Sequence, residues 1–497
     1  MPETEQEQKK FIRMTTAPIP KLICSLAVPT ILSMMVTSFY NMADTFFVGK
    51  LGKAATGAVG VVFSLMAMIQ ALGFFFGHGS GNFISRKLGA RRFEEASAMA
   101  STGFFSAFFF GCLLAVFGLI FLDPLTNLLG ATPTIFPYAR DYLRIILFGA
   151  PFMTSSLVLN NQLRYQGSAV YGMVGIVSGA VINIGLDPLF IFTFQMGTAG
   201  AALATILSQI VSFTLLLIGS ARGSSLRISI RKVSLKFHTY VEIARGGLPS
   251  LCRQGLGAAA VVCLNLAAGP YGDQAIAAMS VVAKITNFAA SALLGFGQGF
   301  QPVCGFNYGA KRYDRVIRAF WFCVKVSSLF LVVVSALGIV FAQPLVAVFQ
   351  SDPEVVEIGT LALRLQWASF PLFSFITLTN MMLQTMGKAA KASLLAMARQ
   401  GLFFLPALWI LTASLGLFGL QLSQTVADVL TFLLALPLGL STLKRLSAAQ
   451  RAASPDARTD PGSEAACADV NASVTNRESA PHEEDSEQKS DEFSQKF

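Results

Sequence analysis

Long apolar runs separated by short polar stretches fill the first 440 residues of the chain. A helix needs about 20 mostly apolar residues to cross the hydrocarbon core of a bilayer. By that rule, runs near 22–46, 56–80, 98–120, 140–162, 171–194, 199–219, 244–268, 276–302, 318–341, 361–386, 393–415 and 417–440 predict twelve spans. None shows the roughly ten-residue alternation of a membrane β-barrel strand. The first run follows a polar N-terminus and exceeds the length of a signal-peptide core, so it reads as a retained span. The expected fold class is an all-α, polytopic membrane protein.

The two halves of the chain share a pattern. A shift of 220 places Pro29 on Pro249, Gly52 on Gly272, and Gly77 and Gly79 on Gly297 and Gly299. Gly89-Ala90-Arg91-Arg92-Phe93 falls on Gly309-Ala310-Lys311-Arg312-Tyr313. Pro124, Pro133 and Pro151 fall on Pro344, Pro353 and Pro371, and Asn160 and Gly167 on Asn380 and Gly387. Prolines and glycines fix kinks and close helix contacts, so a gapless match through them marks a structural repeat. Two six-helix lobes of one orientation are expected, an arrangement suited to alternating access around a central cavity. The domains read as an N-terminus 1–21, an N-lobe 22–219, a linker 220–243, a C-lobe 244–440 and a disordered acidic tail 447–497.

Composition agrees with the pattern. Charged residues make up 13% of the chain and hydrophobic ones 54%, with mean hydropathy +0.60. An ordinary soluble domain carries about 25% charged residues, so a water-soluble protein of this size is excluded. The net charge of +10 hides a split, because residues 450–497 hold 11 acidic and 5 basic groups. Basic residues gather after span 2 (Arg86, Lys87, Arg91, Arg92), after span 6 (Arg222, Arg227, Arg231, Lys232, Lys236, Arg245) and after span 8 (Lys311, Arg312, Arg315, Arg318). The positive-inside rule then puts both termini in the cytoplasm and the chain in the cytoplasmic membrane. Such charges suit membrane lipid as a partner better than nucleic acid. With three histidines and no C-x-x-C pair, a His-ligated metal centre or a disulfide framework is not expected. A glycosylation pattern, Asn471-Ala-Ser473, falls in the tail on the wrong side of the membrane for use.

An ionisable residue inside a span is costly and marks a functional site by default. Asp44 in span 1 ends a stripe with Thr37, Tyr40 and Asn41, whose spacing keeps one helix face. Asn183 and Asp187 in span 5 also share a face, and Thr205 in span 6 adds a hydroxyl. Desolvation favours the neutral form of a buried carboxyl group, so such a group holds a proton or a cation and can exchange one for the other. Asp44, Asn183 and Asp187 offer oxygen ligands suited to Na⁺ as well as to a proton. The repeat duplicates neither acid, since positions 264 and 407 are Leu and Ala. The C-lobe instead carries Arg253, Gln254, Lys284 and Asp428, read as a polar cluster in which Arg253 and Asp428, at similar depth, either pair with each other or line a solvated cavity wall without pairing. Pro29 frees a backbone carbonyl and lets span 1 bend.

These residues carry a family resemblance. Pro29 with Ala43-Asp44-Thr45, Asn183-x-x-x-Asp187-Pro188, Gly247-Leu248-Pro249-Ser250 and Gly297-x-Gly-x-Gln-Pro302 followed by Asn307-Tyr308-Gly309-Ala310 resemble multidrug and toxin extrusion (MATE) transporters. The likeness covers roughly 15–446 and is nearest to the bacterial multidrug-efflux subgroup. It implies export of organic cations in exchange for H⁺ or Na⁺, with no other cofactor. It also implies a cation site at Asp44, Asn183, Asp187 and Thr205, with Pro29 as the bending point. Arg253 and Gln254 stand where another branch has a glutamate, which argues against a sodium site of that kind in the C-lobe.

The expected function is therefore an antiporter for lipophilic, cationic drugs or toxins, acting as a monomer and not as an enzyme. No G-x-x-x-x-G-K-[ST] loop is present to bind nucleotide. A lipid or lipid-linked oligosaccharide flippase of the same superfamily is the rival reading. It calls for several basic residues in the N-lobe cavity, whereas that half shows acids and no mid-membrane Lys or Arg. A major-facilitator carrier is excluded by the loop Arg86-Lys87-Leu88-Gly89-Ala90-Arg91-Arg92, which lacks that family's acid.

Overall fold

The computed structural model describes residues 5–223, 226–350 and 352–452. It contains α1 (Glu5–Thr16), α2 (Ile19–Gly49), α3 (Lys53–Gly89), α4 (Phe93–Ile120), α5 (Leu122–Leu128) and α6 (Phe136–Tyr165). There follow α7 (Ala169–Pro188), α8 (Gly197–Gly223), α9 (Phe237–Ala268), α10 (Asp273–Gly309), α11 (Tyr313–Val340) and α12 (Ala342–Ala347). The last are α13 (Pro353–Ser369), α14 (Leu372–Thr385), α15 (Ala389–Met397), α16 (Phe404–Leu415) and α17 (Leu417–Ala452). No described residue lies in a strand. Among the described residues eleven spans, two of them carrying π-helical turns, are long and apolar enough to cross a membrane, and the bent pair α13–α14 brings the number to twelve. The chain divides into a body, Met1–Ser441, and the segment Thr442–Phe497, whose described part is the final turns of α17.

The expected spans fall on these helices to within about a residue at their ends, and most of the helices run further at their polar ends. Helix α17 continues to Ala452, past the expected start of the tail at 447, and the linker is shortened by α8 and α9. The remainder of the tail and its Asn471-Ala-Ser473 pattern lie outside the described residues.

The 220-residue repeat is visible in the backbone. Gly52 and Gly272 precede α3 and α10 with φ of 112° and 91°. Arg91 and Lys311 both have φ of 58° where those helices end. At each end the next amide bonds back to the fifth carbonyl before it, Arg92 to Lys87 and Arg312 to Asn307, both at 2.8 Å. This is the Schellman closure, repeated at Gly167 and Gly387 after α6 and α14.

One expected span is broken. The run 361–386 forms α13 and α14, bent by 55°. Pro371 has no amide hydrogen to give the Trp367 carbonyl, and Phe370 donates to it instead at 3.3 Å, tightening the turn. Pro151, the matching residue, stays inside an unbroken α6.

The lobes meet where side chains vanish. A Cβ at Gly79 would lie 2.3 Å from the Ile243 carbonyl oxygen, so α3 crosses α9 backbone to backbone. The matching Gly299 on α10 sits equally tightly on α2, where a Cβ would be 2.6 Å from the Ala27 Cα. Small residues at such crossings are how helices associate where lipid removes the hydrophobic driving force. Both crossings lie in the half of the molecule nearest α1. In the other half a Cβ at Gly60 on α3, or at Gly255 or Gly257 on α9, would touch nothing within 4 Å.

Helix α1, too short to span, ties both lobes together on the closed face. Lys10 Nζ donates to Gly223 O at 2.6 Å and Ser168 Oγ at 2.8 Å in the N-lobe. The guanidinium of Arg91 lies 4.4 Å from the Phe11 ring centre. From the C-lobe, Asn307, Arg312 and Arg315 donate to the carbonyls of Met14, Thr15 and Ala17 at 3.1, 2.9 and 2.6 Å. These are the carbonyls at and just past the end of α1, which lack helical donors, so basic side chains suit them.

Two predictions follow from this closed face. Gly79→Val should weaken it by about 1–3 kcal/mol, and a cysteine placed at the buried Ser250 should then react with a thiol reagent several times faster. Unchanged reactivity would mean that the α3–α9 crossing does not hold the face shut. The second concerns Lys10, whose amine burial pushes down to about 8, with Glu7 opposing and Arg13 assisting. Between about pH 8 and the ordinary 10.5, free α1 then holds more protons than docked α1, so docking strengthens as pH rises through that window. A nitroxide at the exposed Ile12 should lose mobility from about pH 8 to about pH 10; constant mobility would separate Lys10 from docking.

Candidate functional site

A cavity of about 270 Å³ lies between the lobes, walled by α2, α3, α6, α7, α8, α9 and α10. Tyr40, Asn183 and Thr205 line its N-lobe side. The two acids stand behind that wall. Asp187 is fully buried, and its Oδ1 accepts from Asn183 Nδ2 at 3.3 Å. Asp187 Oδ2, Asn183 Oδ1 and Asp44 Oδ1 are buried and accept no hydrogen bond. Asp44 is near enough to Asp187 to interact with it electrostatically. The structure thus brings together all four residues expected at this site.

Local sequence explains the arrangement. Asn183 and Asp187 are one helical turn apart on α7, and Pro188 ends the regular hydrogen bonding there. The chain continues as a π-helical turn, Leu189–Thr193. Such turns widen a helix by one residue and recur at functional sites. Tyr142 on α6 was not legible as part of this cluster. It is fully buried, adjoins Thr205 and lies within electrostatic reach of Asp44, Asp187 and Tyr40. An isolated Tyr in an apolar run carries no signal of its own.

The C-lobe cluster differs from the expectation. Asp428 does not pair with Arg253. Its partner is Arg399, with Nε to Oδ1 at 2.8 Å and Nη2 to Oδ2 at 3.4 Å. Gln424 Nε2 donates to the same Oδ1 at 2.9 Å, and the Phe373 ring centre lies 4.0 Å from the Arg399 guanidinium. Depth counted along the helices is similar for Arg253 and Arg399, but depth does not tell which way a side chain faces. The π-helical turn Ala398–Leu402 carries Arg399 beside α17. Arg253 and Gln254 instead line the central cavity, and Lys284 is exposed on α10, outside any cluster.

A second correction concerns the N-lobe. Arg164, at the end of α6, is only 2% exposed and lines the same cavity. Its place at the edge of an apolar run made it look like a loop residue. The floor beneath is sealed by His78 Nδ1 with Ser250 Oγ (2.7 Å) and by Gln384 Nε2, which donates to Ser250 Oγ and Gly246 O, both at 2.8 Å. Pro29 lies inside an α2 that remains helical throughout, and Thr30 Oγ1 beside it reaches Gly295 O in the other lobe at 2.7 Å.

Two repeated helical lobes around one central cavity, closed at one face, define a secondary-transporter architecture. The family profile described as MatE matches residues 29–189 and 257–410, and the chain belongs to that family, the MATE transporters. The multidrug export protein MepA of Staphylococcus haemolyticus is 27% identical over 429 residues, covering 86% of this chain and 94% of that protein. A solved structure described as the outward-facing conformation of a multidrug resistance MATE family transporter matches with TM-score 0.83 and 27% identity, covering 90% of this chain and 100% of that one. Another, from Pyrococcus furiosus, is described as a superfamily transporter whose binding pocket has reverse polarity, suggesting a different function. It matches with TM-score 0.83 and 26% identity over 88% of this chain and 98% of that one.

The Arg399–Asp428 pair yields a prediction. Asp428→Asn leaves a guanidinium without its counter-charge and should cost about 3–5 kcal/mol. Adding Arg399→Met should recover much of that loss in thermal unfolding of the detergent-solubilised protein. Equal destabilisation of the single and double variants would show that the two groups are not energetically coupled.

Proposed function

We propose that the protein is an antiporter that exports organic cations in exchange for H⁺ or Na⁺. The observation that carries this reading is the N-lobe acid cluster beside the cavity. Asp44 and Asp187 lie close together with no basic partner beside either among the described residues, and three of the cluster's buried oxygens accept no hydrogen bond. Two such carboxylates are too costly to keep charged without a proton or a cation. An organic cation and a coupling ion compete for the same charge, so binding one favours release of the other. MepA, a relative by sequence, is named a multidrug export protein. The orientation follows from the basic loops, with both termini cytoplasmic. The closed α1 face is then the cytoplasmic one, and the cavity opens outward.

A flippase for an anionic lipid is the second reading, favoured by Arg164 and Arg253 in the cavity. The paired acids argue against it, because they repel phosphate.

Purified protein in liposomes tests the choice, with a fluorescent lipophilic cation and pH and sodium gradients imposed separately. One of the gradients should drive transport, and Asp187→Asn or Asp44→Asn should reduce it at least about tenfold. Full activity in both variants, or no gradient-driven movement, would reject the antiporter.

A further inference from the structure

The acids occupy one side of the cavity, and its floor carries the opposite charge. Arg164 Nη2 donates to Asn161 Oδ1 at 2.6 Å and the guanidinium lies 5.0 Å from the Tyr165 ring centre, while its Nε has no hydrogen-bond partner. Arg253, across the gap between lobes, makes no hydrogen bond or ion pair with the described residues. Both guanidiniums line the cavity and are near enough to repel each other. Two guanidiniums that face one cavity without a carboxylate partner among the described residues repel each other, and an anion held between them relieves that repulsion.

The repeat shows that the fold itself does not require these charges. Position 384, the mate of Arg164, is Gln, and its neutral amide makes two of the bonds that seal the floor. Position 33, the mate of Arg253, is Ser, which bonds only to the Pro29 carbonyl of its own helix at 2.9 Å. Gln70, Asn160, Gln254 and Gln298 also line the cavity, adding neutral amides between the two poles.

We propose that Arg164 and Arg253 form an anion-binding pole, and that the protein's preferred substrates are amphoteric. Such a molecule presents an amine to the Asp44–Asp187 side and a carboxylate or sulfonate to the arginines. The anion engages one guanidinium from each lobe, so it also relieves their repulsion across the closed floor. The substrate's passage rests on the antiporter reading above, whereas its binding rests on the cavity alone.

Two rhodamines that differ only in an ester test this. The ethyl ester is a permanent cation, and the free acid is the matching zwitterion. Binding to the purified full-length protein is read by fluorescence anisotropy. Arg253→Gln should lower the acid-to-ester ratio of affinities about tenfold, the size of one charge-assisted hydrogen bond. Arg253→Lys should restore part of it. In the unmodified protein, benzenesulfonate should displace the acid at concentrations that leave the ester bound. An unchanged ratio in Arg253→Gln, or equal displacement of both dyes, overturns the proposal. The outcome is independent of the coupling assay. Arginine-dependent binding of the acid without gradient-driven transport keeps the anion pole and rejects the antiporter. Driven transport of the ester with no arginine dependence does the reverse.

Discussion

Backbone contact between the lobes, α3 on α9 and α10 on α2, is the constraint on which the remaining features depend. At Gly79 and Gly299 no room exists for even a methyl group, so the helices are pinned at one level and free to part at another. Pinning them near α1 seals the floor and lets the far halves separate, which fixes where the cavity lies and which way it opens. It also brings Gly223 and Ser168 of one lobe close enough to Arg312 and Arg315 of the other for a twelve-residue helix to bridge them. Lipid offers helices no hydrophobic reason to associate, so close packing of small residues has to do what burial of apolar surface does in water. A contact of this kind also comes apart without exposing a large apolar surface to water, which suits lobes that must rock.

The two lobes treat buried charge in opposite ways. The C-lobe neutralises its own: Asp428 is held by Arg399 in a two-point pair, with Gln424 and the Phe373 ring completing the surroundings. That arrangement has no reason to exchange ions with the cavity. The N-lobe leaves Asp44 and Asp187 without a basic partner and surrounds them with hydroxyl and amide groups. The arrangement is unstable alone and satisfied by something mobile. Both charged groups sit next to a π-helical turn, Leu189–Thr193 in one lobe and Ala398–Leu402 in the other. The local widening gives a charged side chain a direction that regular spacing would not.

Much of this was legible in the residues. Span positions followed from apolar runs because the bilayer allows little else, and the repeat followed from glycines and prolines whose backbone duties recur. The acid cluster was legible because Asp44, Asn183 and Asp187 each interrupt an apolar run. What escaped had no such contrast. Arg164 sits at the end of a run, where a charge looks solvated, yet the matching helix ends bury it. Arg399 lies seven residues into its expected span and was not legible as the partner of Asp428; depth can be counted from a sequence, but which way a side chain faces cannot. The break at Pro371 and the continuity at Pro151 are equally opaque. The two prolines are repeat mates, and only the tertiary surroundings decide which helix bends.

Repeat mates also separate structural demands from functional ones. A position whose two copies build the same helix with and without a charge shows that the helix does not need the charge. Asp44 and Asp187 match Leu264 and Ala407, and Arg164 and Arg253 match Gln384 and Ser33. Arg399 and Asp428 match Gly179 and Ser208, and there the N-lobe simply packs helix on helix, with a Cβ at Gly179 only 3.1 Å from the Ser208 carbonyl oxygen. The ion pair and the close contact are thus two answers to one packing problem, and the pair is neutral within itself. Removing it from consideration leaves two acids and two arginines gathered around one cavity, none paired with an opposite charge among the described residues. A fold that has neutral solutions at each of these positions keeps the charges for what passes through it.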